Sequence, residues 1–521
     1  MASGVVVRKN QYYDSLFLMG VNKRLSDAKG VQQTAVLMGS PANKTLLEEI
    51  GVHDAQVEAA GANDLIVAVV ADTPKLVTDT LSRLDDALQA GVESMPVSDL
   101  HSLEDGLVQK PNANLVVISV PGEYAAREAQ KALDAGLNVF LFSDNVAIED
   151  ELRLKVSAAR RHLLVMGPDC GTSLIGGVGI GFANVVRRGP IGAIGAAGTG
   201  LQEFTSLVHN AGFGISHAIG TGSHDLSDKI GGLTTLAALE ALENDPATKV
   251  ITLLSKPAGL KTRAALITRI GRCPKPVVGC FLGARPQVAV AQSNLQFART
   301  IDEAARLAIR AAQGSLESWP DELTPEEQAL ADQERSSWAP EQKYLRGLFA
   351  GGTFCYQSQQ ILRDSGIATH SNAPLNPEYV LANPDNSVQH TLVDMGDDRY
   401  TLGRPHPMID ASARCQRILS ESRDPQMAIL LFDVILGYNA SKDPAGELID
   451  AIQQARETAK ACGGSLSLVA SVCGTEGDVQ GLSRQTRLLK EVGVRVFSSN
   501  ARAALFCCEL LQKRQGCNVD D

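Results

Sequence analysis

The sequence predicts an α/β protein of consecutive doubly wound parallel-sheet domains, of Rossmann or flavodoxin type, preceded by a small α/β module. Near-continuous apolar runs such as "NLVVISV" alternate with amphipathic stretches along most of the chain. Strands of this kind are buried on both faces by crossover helices. The chain also has 521 residues, of which 44% are hydrophobic, so it can build several cores rather than one.

The first predicted unit is a separate α/β module over residues 1–108. The pattern predicts a strand at "GVVVRK", a helix ended by Gly30, and strands at "QTAVLMG" and "DLIVAVVAD". A helix follows at "TPKLVTDTLSRLDDALQAG", with Thr73 or Asp72 as its cap and Pro74 in its first turn. These elements suffice for a small domain with its own core.

The second predicted unit, residues 109–187, is a truncated Rossmann domain. Strands at "NLVVISV", "NVFLFSD" and "LLVMGPD" are separated by helices at "EYAAREAQKALDAG" and "AIEDELRLKVSAARR". This βαβαβ order predicts a parallel sheet that presents ligand-binding loops at the carboxyl ends of its strands.

Two flavodoxin-like domains are predicted at residues 188–315 and 343–521. The acidic, proline-containing segment 316–342 predicts a linker with room for one helix. "IGAIGAAGTGLQE" in the first domain corresponds to "LRGLFAGGTFCYQ" in the second, and "LENDPATKVITLLS" corresponds to "SESRDPQMAILLFD". The matches are short enough to arise by chance between two α/β units, but their shared order favours a duplicated architecture.

The composition of the chain argues against a nucleic-acid-binding protein and against a membrane protein. The net charge of −11 disfavours a nucleic-acid binder. The ten cysteines include no C-x-x-C pair, which is typical of reduced thiols in a cytoplasmic protein. The chain shows no run of about 18 apolar residues, so we expect no membrane segment. Small anionic ligands remain compatible with the charge, because backbone N–H groups can hold them locally.

The two glycine-rich turns are the predicted phosphate-binding elements. Each follows a buried strand and begins a helix, so free N–H groups and the positive end of the helix dipole face the same point. A phosphate or carboxylate suits such a position, whereas the alternative is a turn needed only for close packing. The predicted phosphate-binding residues are Gly198, Thr199, Gly200, Gly351, Gly352 and Thr353.

Two further loops supply candidate binding residues. "VMGPDCGTSLIGG" places Asp169, Cys170 and Thr172 after a buried strand, although a small buried thiol is the simpler interpretation of the cysteine. No histidine stands at an obvious spacing from Cys170, so we predict no cysteine nucleophile. "IGTGSHDLSDKIGG" adds Thr221 and Ser223 as substrate-binding residues. It also places His224 in this loop, either as an acid or anion donor or as an ordinary surface histidine.

The most polar cluster of the last domain is "DMGDDRYTLGRPHPMID". Prolines on both sides of His406 hold it in place. Arg404 matches a carboxylate with two parallel hydrogen bonds, so both residues are candidate catalytic groups. An Asp–Arg network on the surface is the alternative. The aspartates match no dedicated metal loop, and we predict no metal site.

In this order, the motifs resemble the succinyl-CoA synthetase superfamily over about residues 112–515. "VMGPDCG" is similar to the Gly-Pro-Asn-Cys segment that closes the CoA-binding domain of the α subunit, and "IGAIGAAGTGLQE" to the α-subunit loop whose helix points at the active site. "LFAGGTFCYQ" and "LVDMGDDRYTLGRP" resemble the C-terminal domain of the β subunit. With its N-terminal module and "GRPHPMID", the chain is identified as a member of the FdrA family.

The sequence departs from this superfamily at three points. The phosphorylated histidine of its Gly-His-Ala-Gly segment would follow "KPVVGCFLG", where this chain reads "ARPQVAVAQSNLQF". An ATP-grasp domain and the first half of the CoA-binding Rossmann domain are not recognisable. We therefore expect no required cofactor, no labelling by ATP, and weak or absent CoA binding.

The FdrA family is associated with allantoin breakdown and with carbamoyl transfer to oxamate, alongside proteins encoded nearby. The resemblance implies that the glycine-rich turns bind the phosphate of carbamoyl phosphate. Arg404 would bind the acceptor carboxylate, and His406 would donate to the carbonyl or move a proton. An acyl-CoA synthetase subunit that obtains ATP binding from a partner and a non-catalytic anion-sensing scaffold are the alternatives. We expect a homo-oligomer or a complex with neighbouring-gene subunits.

Overall fold

A computed structural model of the chain confirms the predicted α/β class. The structure describes residues 2–11, 13, 15–26, 30–40, 43–44, 47–48, 51–61, 63–92, 100–283, 294–313, 322–401 and 405–512. Within these ranges, no helix combines the length and the apolar character needed to cross a membrane.

The N-terminal module is an antiparallel sheet with helices against it. Strands β1 and β2 both pair with β3, in the order β1-β3-β2. Of the two predicted caps, Thr73 is the one used, because its side chain accepts from the N–H of Leu76, and Pro74 opens that helix. The elements are β1 (Ala2–Arg8), α1 (Ser15–Ser26), β2 (Val31–Met38), α2 (Ala55–Ala59), β3 (Leu65–Ala71), α3 (Pro74–Ser82) and α4 (Leu84–Val92).

The second unit is a short parallel sheet, ordered β4-β5-β6. Its helices α6 and α7 pack on each other and bury alanine and leucine side chains against the strands. The elements are α5 (Leu103–Gln109), β4 (Leu115–Ile118), α6 (Gly122–Asp134), β5 (Asn138–Leu141), α7 (Ile148–Arg160) and β6 (Val165–Met166).

The predicted boundary at residue 187 needs a correction. The hairpin of β7 (Thr172–Ile175) and β8 (Val178–Gly181) leaves the second unit and joins the sheet of the third. The joining pair is antiparallel, with Leu174 opposite Ala218. Periodicity alone does not reveal such a pairing, because it depends on a strand about 40 residues away.

The third unit has a parallel core in the order β13-β12-β11-β9-β10, extended by the hairpin. Its central strand β9 leads directly into α8, the helix that follows the first glycine-rich turn. The elements are β9 (Arg188–Ala196), α8 (Gly198–Asn210), β10 (Ile215–Gly220), α9 (Leu233–Asn244), β11 (Val250–Ser255), α10 (Leu260–Ile270), β12 (Val277–Phe281), β13 (Leu295–Ala298) and α11 (Ile301–Gln313).

Residues 316–342 do more than link two domains. Helix α12 (Pro325–Ser336) starts with a capping box formed by Thr324 and Glu327. Arg335 donates to the carbonyl oxygens of Glu509 and Leu510 in the last helix of the chain. The described part of this segment is therefore packed onto the fourth unit.

The fourth unit is parallel throughout its described strands, ordered β15-β16-β14-β17-β18-β19. Its central strand β14 leads into α13, the helix after the second glycine-rich turn. The elements are β14 (Tyr344–Phe349), α13 (Gly352–Asp364), β15 (His370–Ser371), β16 (Thr391–Asp394), α14 (Asp398–Thr401), α15 (Ser412–Glu421), β17 (Met427–Ile435), α16 (Ile449–Ala461), β18 (Ser467–Cys473), α17 (Leu482–Glu491), β19 (Arg495–Phe497) and α18 (Asn500–Gln512).

The parallel cores of the third and fourth units share one strand order. Numbered within each unit, both read 2-1-3-4-5, the flavodoxin-like order, with β15 as an extra edge strand. Glu203 of α8 and Gln357 of α13 occupy equivalent positions in the two units. Each side chain accepts a hydrogen bond from the first residue of a helix in the other unit. Glu203 accepts from the N–H of Asn500 at 2.7 Å, and Gln357 accepts from that of Ile301 at 2.8 Å. Each central helix thus caps the last helix of the other unit.

Candidate functional site

A cavity lies where the carboxyl ends of three parallel sheets meet. It has a volume of about 240 Å³. The second unit contributes the loops after β4, β5 and β6, the third the loops after β9, β10 and β11, and the fourth the loops after β14 and β16. Its polar lining residues are Ser119, Ser143, Asp144, Asp169, Cys170, Thr172, Thr199, Gln202, Ser223, Lys256, Thr353, Asp394, Thr401 and His406.

The N-termini of α8 and α13 open into this one cavity. Gly198, Thr199, Gly352 and Thr353 all line it. Because the first four N–H groups of a helix have no partner within the helix, both helix ends present donors there. The two ends also touch, since a Cβ on Gly200 would lie 3.0 Å from Cγ2 of Thr353. The structure therefore brings the two predicted anion-binding turns together.

Two of the six predicted phosphate ligands, Gly200 and Gly351, do not line the cavity. Gly351 does not line the cavity, and its N–H donates to the buried carboxylate of Asp433 at 2.7 Å. That carboxylate also accepts from Ala350 N at 2.8 Å, which fixes the turn. Gly200 faces the other helix. Both glycines thus allow close packing, and the phosphate-ligand prediction is corrected for them.

Two buried oxygen atoms at the cavity lack a protein partner within the described residues. One is Oγ1 of Thr353, whose side chain is almost fully buried at the start of α13. The other is Oε1 of Gln202, whose amide nitrogen is held by Asn184 and by the carbonyl of Leu436. Buried polar atoms are rarely left unpaired. The hydroxyl of Thr353 can therefore bind a ligand at the helix ends.

Lys256 is a cationic side chain of the cavity that sequence reasoning missed. It follows β11, and its ammonium lies 5.8 Å from the ring centroid of Tyr356. Its charge opposes the raised pKa of Asp394 and contributes to the lowered pKa of His406. An ammonium group beside two helix N-termini adds a full positive charge to the partial charges of the helix ends.

Asp394 places a carboxyl group beside the N-terminus of α13. It is buried at the end of β16, and its Oδ1 accepts from the N–H of Gly396 at 2.9 Å. Burial raises the pKa of Asp394 to about 6, against the opposing charge of Lys256. A side chain at Gly352 would collide with this carboxyl group, so glycine is required for the approach. Asp394 can therefore accept a proton close to neutral pH.

His406 lines the same cavity as a neutral imidazole. Burial lowers its pKa to about 4, helped by the charges of Arg414 and Lys256. Its Nδ1 accepts from the N–H of Met408 at 3.2 Å, so the proton resides on Nε2. This form suits the predicted donation to a carbonyl oxygen. Its low pKa makes the imidazolium a minor species at neutral pH. Arg404, the other predicted catalytic residue, lies outside the described residues.

Asp169, Cys170 and Thr172 all line the cavity as predicted binding residues. Burial raises the pKa of the Cys170 thiol to about 12, so this group stays protonated and is a poor nucleophile. The Thr172 hydroxyl donates to the carbonyl of Phe182 at 2.8 Å. Asp169 is the exposed residue of the three.

The loop after β10 is divided between the cavity and a buried ion cluster. Ser223 lines the cavity, but Thr221 and His224 do not. The carbonyl of Thr221 accepts from Lys155 Nζ at 2.9 Å. His224 is more than half exposed, and its Nδ1 lies 3.3 Å from Glu151 Oε2, a contact that raises its pKa. The catalytic interpretation of His224 is therefore corrected to an interaction beside the site.

Lys155 fixes this loop, and we expect Lys155→Met to destabilise the protein. Its buried ammonium lies 2.7 Å from Glu151 and 2.8 Å from Asp225, both buried. Removing the cation leaves two buried carboxylates uncompensated, which costs about 3–5 kcal/mol in the free energy of unfolding. Urea unfolding measures the loss. Lys131→Met removes a partly exposed pair with Glu128 and should cost about 1 kcal/mol or less. Equal losses would contradict the buried-cluster interpretation.

Comparison with known proteins identifies the relatives of the chain. The protein YahF of Escherichia coli (strain K12) is 40% identical over 98% of this chain and 99% of its own length. A family model described as CoA-ligase matches residues 348–507, and one described as AllF, heavy metal-associated domain matches residues 1–100. The chain belongs to the FdrA family. The recognition made from the motifs is thereby confirmed.

More distant relatives cover only parts of this FdrA protein. The α subunit of succinate–CoA ligase from Methanothermobacter thermautotrophicus is 30% identical over 38% of the chain and 66% of that subunit. A subunit of the same name from Archaeoglobus fulgidus is 27% identical over 37% of the chain and 67% of its own length. A solved acetyl-coenzyme A synthetase of Ca. Korarchaeum cryptofilum aligns over 80% of the chain at 18% identity, with a TM-score of 0.29. The family model matched at residues 348–507 shows that the FdrA protein carries a CoA-ligase-like region.

The name of the matched N-terminal domain raises the question of a bound heavy metal. Residues 1–100 contain no cysteine and one histidine, His53. Soft metals prefer thiolate and imidazole ligands. Within the described part of the chain, no group of three or more histidine, cysteine, aspartate or glutamate side chains is arranged to hold a metal ion. The module thus offers a heavy metal no thiolate and a single imidazole.

Proposed function

We propose that the FdrA protein is a carbamoyltransferase subunit that uses carbamoyl phosphate and a small carboxylate acceptor such as oxamate. The observation that carries the proposal is the meeting of two helix N-termini, at Gly198 and Gly352, with Lys256 in one cavity. These groups favour a phosphate. The hydroxyl of Thr353, which has no protein partner among the described residues, supplies one further donor at the same point.

The cavity residues divide into two chemical roles. The N–H groups of the helix ends and Lys256 stabilise the charge that develops on the departing phosphate. The Nε2–H of His406 donates to the carbamoyl oxygen as it becomes an oxyanion. Asp394 accepts the proton that the acceptor nitrogen loses. Positioning two small anions side by side contributes the rest of the acceleration.

The transfer step balances without ATP. The amide nitrogen of oxamate forms a bond to the carbamoyl carbon, and the bond from that carbon to the phosphate oxygen breaks. The proton of the amide passes to Asp394 and then to the phosphate product. The carbamoyl group arrives already activated, so the step needs no phosphorylated histidine. This agrees with a sequence that has no histidine between His224 and His370.

Phosphate release from carbamoyl phosphate is the direct test. The purified chain, alone and with the products of neighbouring genes, is supplied with carbamoyl phosphate and oxamate in buffer free of ATP and CoA. Release that requires oxamate, with formation of the carbamoylated acceptor, supports the proposal. Absence of acceptor-dependent release under all combinations would contradict it.

An acyl-CoA synthetase subunit is the second candidate, favoured by the CoA-ligase match over residues 348–507 and by the succinate–CoA ligase relatives. This function requires a partner that supplies ATP binding. It also requires CoA to bind beside the loops after β4 and β5. Micromolar CoA affinity in isothermal titration, or phosphate release that depends on ATP and CoA, would favour this candidate over the transferase.

A further inference from the structure

The N-terminal module reaches the fourth unit through Lys23 of α1. The ammonium of Lys23 donates to the carbonyl of Ile409 at 3.0 Å and lies 3.5 Å from Oγ of Ser441. It also forms an ion pair with Glu447, and both side chains of this pair are about one-quarter exposed. A partly buried pair is screened less than a surface pair. Lys23 therefore links the two units through hydrogen bonds as well as a partly buried ion pair.

The target of Lys23 is the turn that carries His406. The N–H groups of Ile409 and Asp410 donate to the carbonyl of His406 at 2.7 and 3.1 Å. Ser441, a partner of Lys23, donates its N–H to the carbonyl of Met408 at 2.8 Å. Both Met408 and Ile409 line the cavity. Lys23 thus forms a hydrogen bond to a turn that also lines the cavity.

We propose that Lys23 is a positioning residue, through which the N-terminal module sets the geometry of the 405–410 turn. The module supplies a cation to the wall of a cavity in another unit. Loss of the cation frees the carbonyl of Ile409 and leaves Glu447 without its pair. The turn then opens more often, and His406 departs from its place in the cavity.

Hydrogen exchange on the full chain tests the contact without any assumption about function. In Lys23→Met, the amides of Ile409 and Asp410 should exchange about tenfold faster or more, while amides of the buried strand β16 keep their rates. Lys23→Arg, which retains the charge, should restore most of the protection. Lys44→Met is the matched control, because Lys44 donates within the module to the carbonyl of Glu58. Unchanged exchange at 409–410 in Lys23→Met would overturn the proposal.

A kinetic measurement extends the test and rests on the proposed function. For Lys23→Met, kcat should fall about tenfold while the KM for carbamoyl phosphate stays within about twofold, because the phosphate contacts are untouched. Lys23→Arg should recover most of kcat. A normal kcat in Lys23→Met would overturn the positioning role. If the wild-type chain showed no acceptor-dependent turnover in any combination with the neighbouring gene products, only the proposed function would be contradicted. Hydrogen exchange would still decide the role of Lys23.

Discussion

Gly198→Val is expected to abolish phosphate binding and to leave the protein folded. A Cβ at this position would lie 3.5 Å from Oγ1 of Thr172, an ordinary contact, so the backbone tolerates it. The two methyl groups then occupy the space between the helix ends and cover their donors. We expect kcat/KM for carbamoyl phosphate to fall by about 10²–10³-fold, as when an oxyanion-hole donor is lost. Isothermal titration with inorganic phosphate measures the binding directly.

The control for this variant is another glycine-to-valine change within a helix. Gly106 in α5 has open space around it and does not line the cavity, so Gly106→Val introduces the same side chain outside the site. Its phosphate affinity and turnover should match those of the wild type. If Gly198→Val and Gly106→Val bound phosphate equally well, the anion would not lie between the two helix ends.

Asp394→Asn is expected to lower kcat by about 10²–10⁴-fold, the usual contribution of a general base, with little effect on the binding of carbamoyl phosphate. The carboxylate accepts a proton only when ionised. Because burial raises the pKa of Asp394 to about 6, wild-type kcat should fall on the acid side of that pH. Asp397→Asn alters a nearby carboxylate outside the cavity lining and should keep kcat within a few-fold. A wild-type rate for Asp394→Asn would remove the base from the mechanism.

The same substitution should stabilise the fold at neutral pH. The folded-state pKa of Asp394 is raised from 3.8 to about 6, so the folded protein holds the proton more tightly than the unfolded chain. Stability therefore falls as pH rises from about 4 to 6, by up to about 3 kcal/mol. Asparagine carries no charge and avoids this loss. Asp394→Asn should have a higher Tm than the wild type at pH 8, with the difference vanishing near pH 4.

The α/β class and the paired helix ends could be predicted because their signals are local. Apolar runs mark the parallel strands, and each glycine-rich turn stands directly between a strand and a helix. Thr73 and Pro74 show the same principle at a helix start, where the cap and the first turn are adjacent in sequence. The meeting of the turns at Gly198 and Gly352 followed from the repeat, because equivalent units expose equivalent ends.

Long-range contacts decided what the sequence could not reveal. The sequence predicts Gly351 as a phosphate ligand, but its N–H donates to Asp433, which lies 82 residues away in the chain. The Glu151–Lys155 pair has the spacing of a surface ion pair on a helix, but the loop after β10 buries it. Lys256 stands alone after β11 with no motif around it. Each of these roles depends on a partner that periodicity and spacing do not identify.

A crystal structure of the full chain with inorganic phosphate tests the central claim most directly. Phosphate should lie between the N-termini of α8 and α13, within hydrogen-bonding distance of the N–H groups of Gly198, Thr199 and Gly352, and near Lys256. The hydroxyl of Thr353 should gain a partner there. Phosphate bound elsewhere at saturating concentration, with the helix ends unoccupied, would contradict an acyl-phosphate site and with it the proposed transferase.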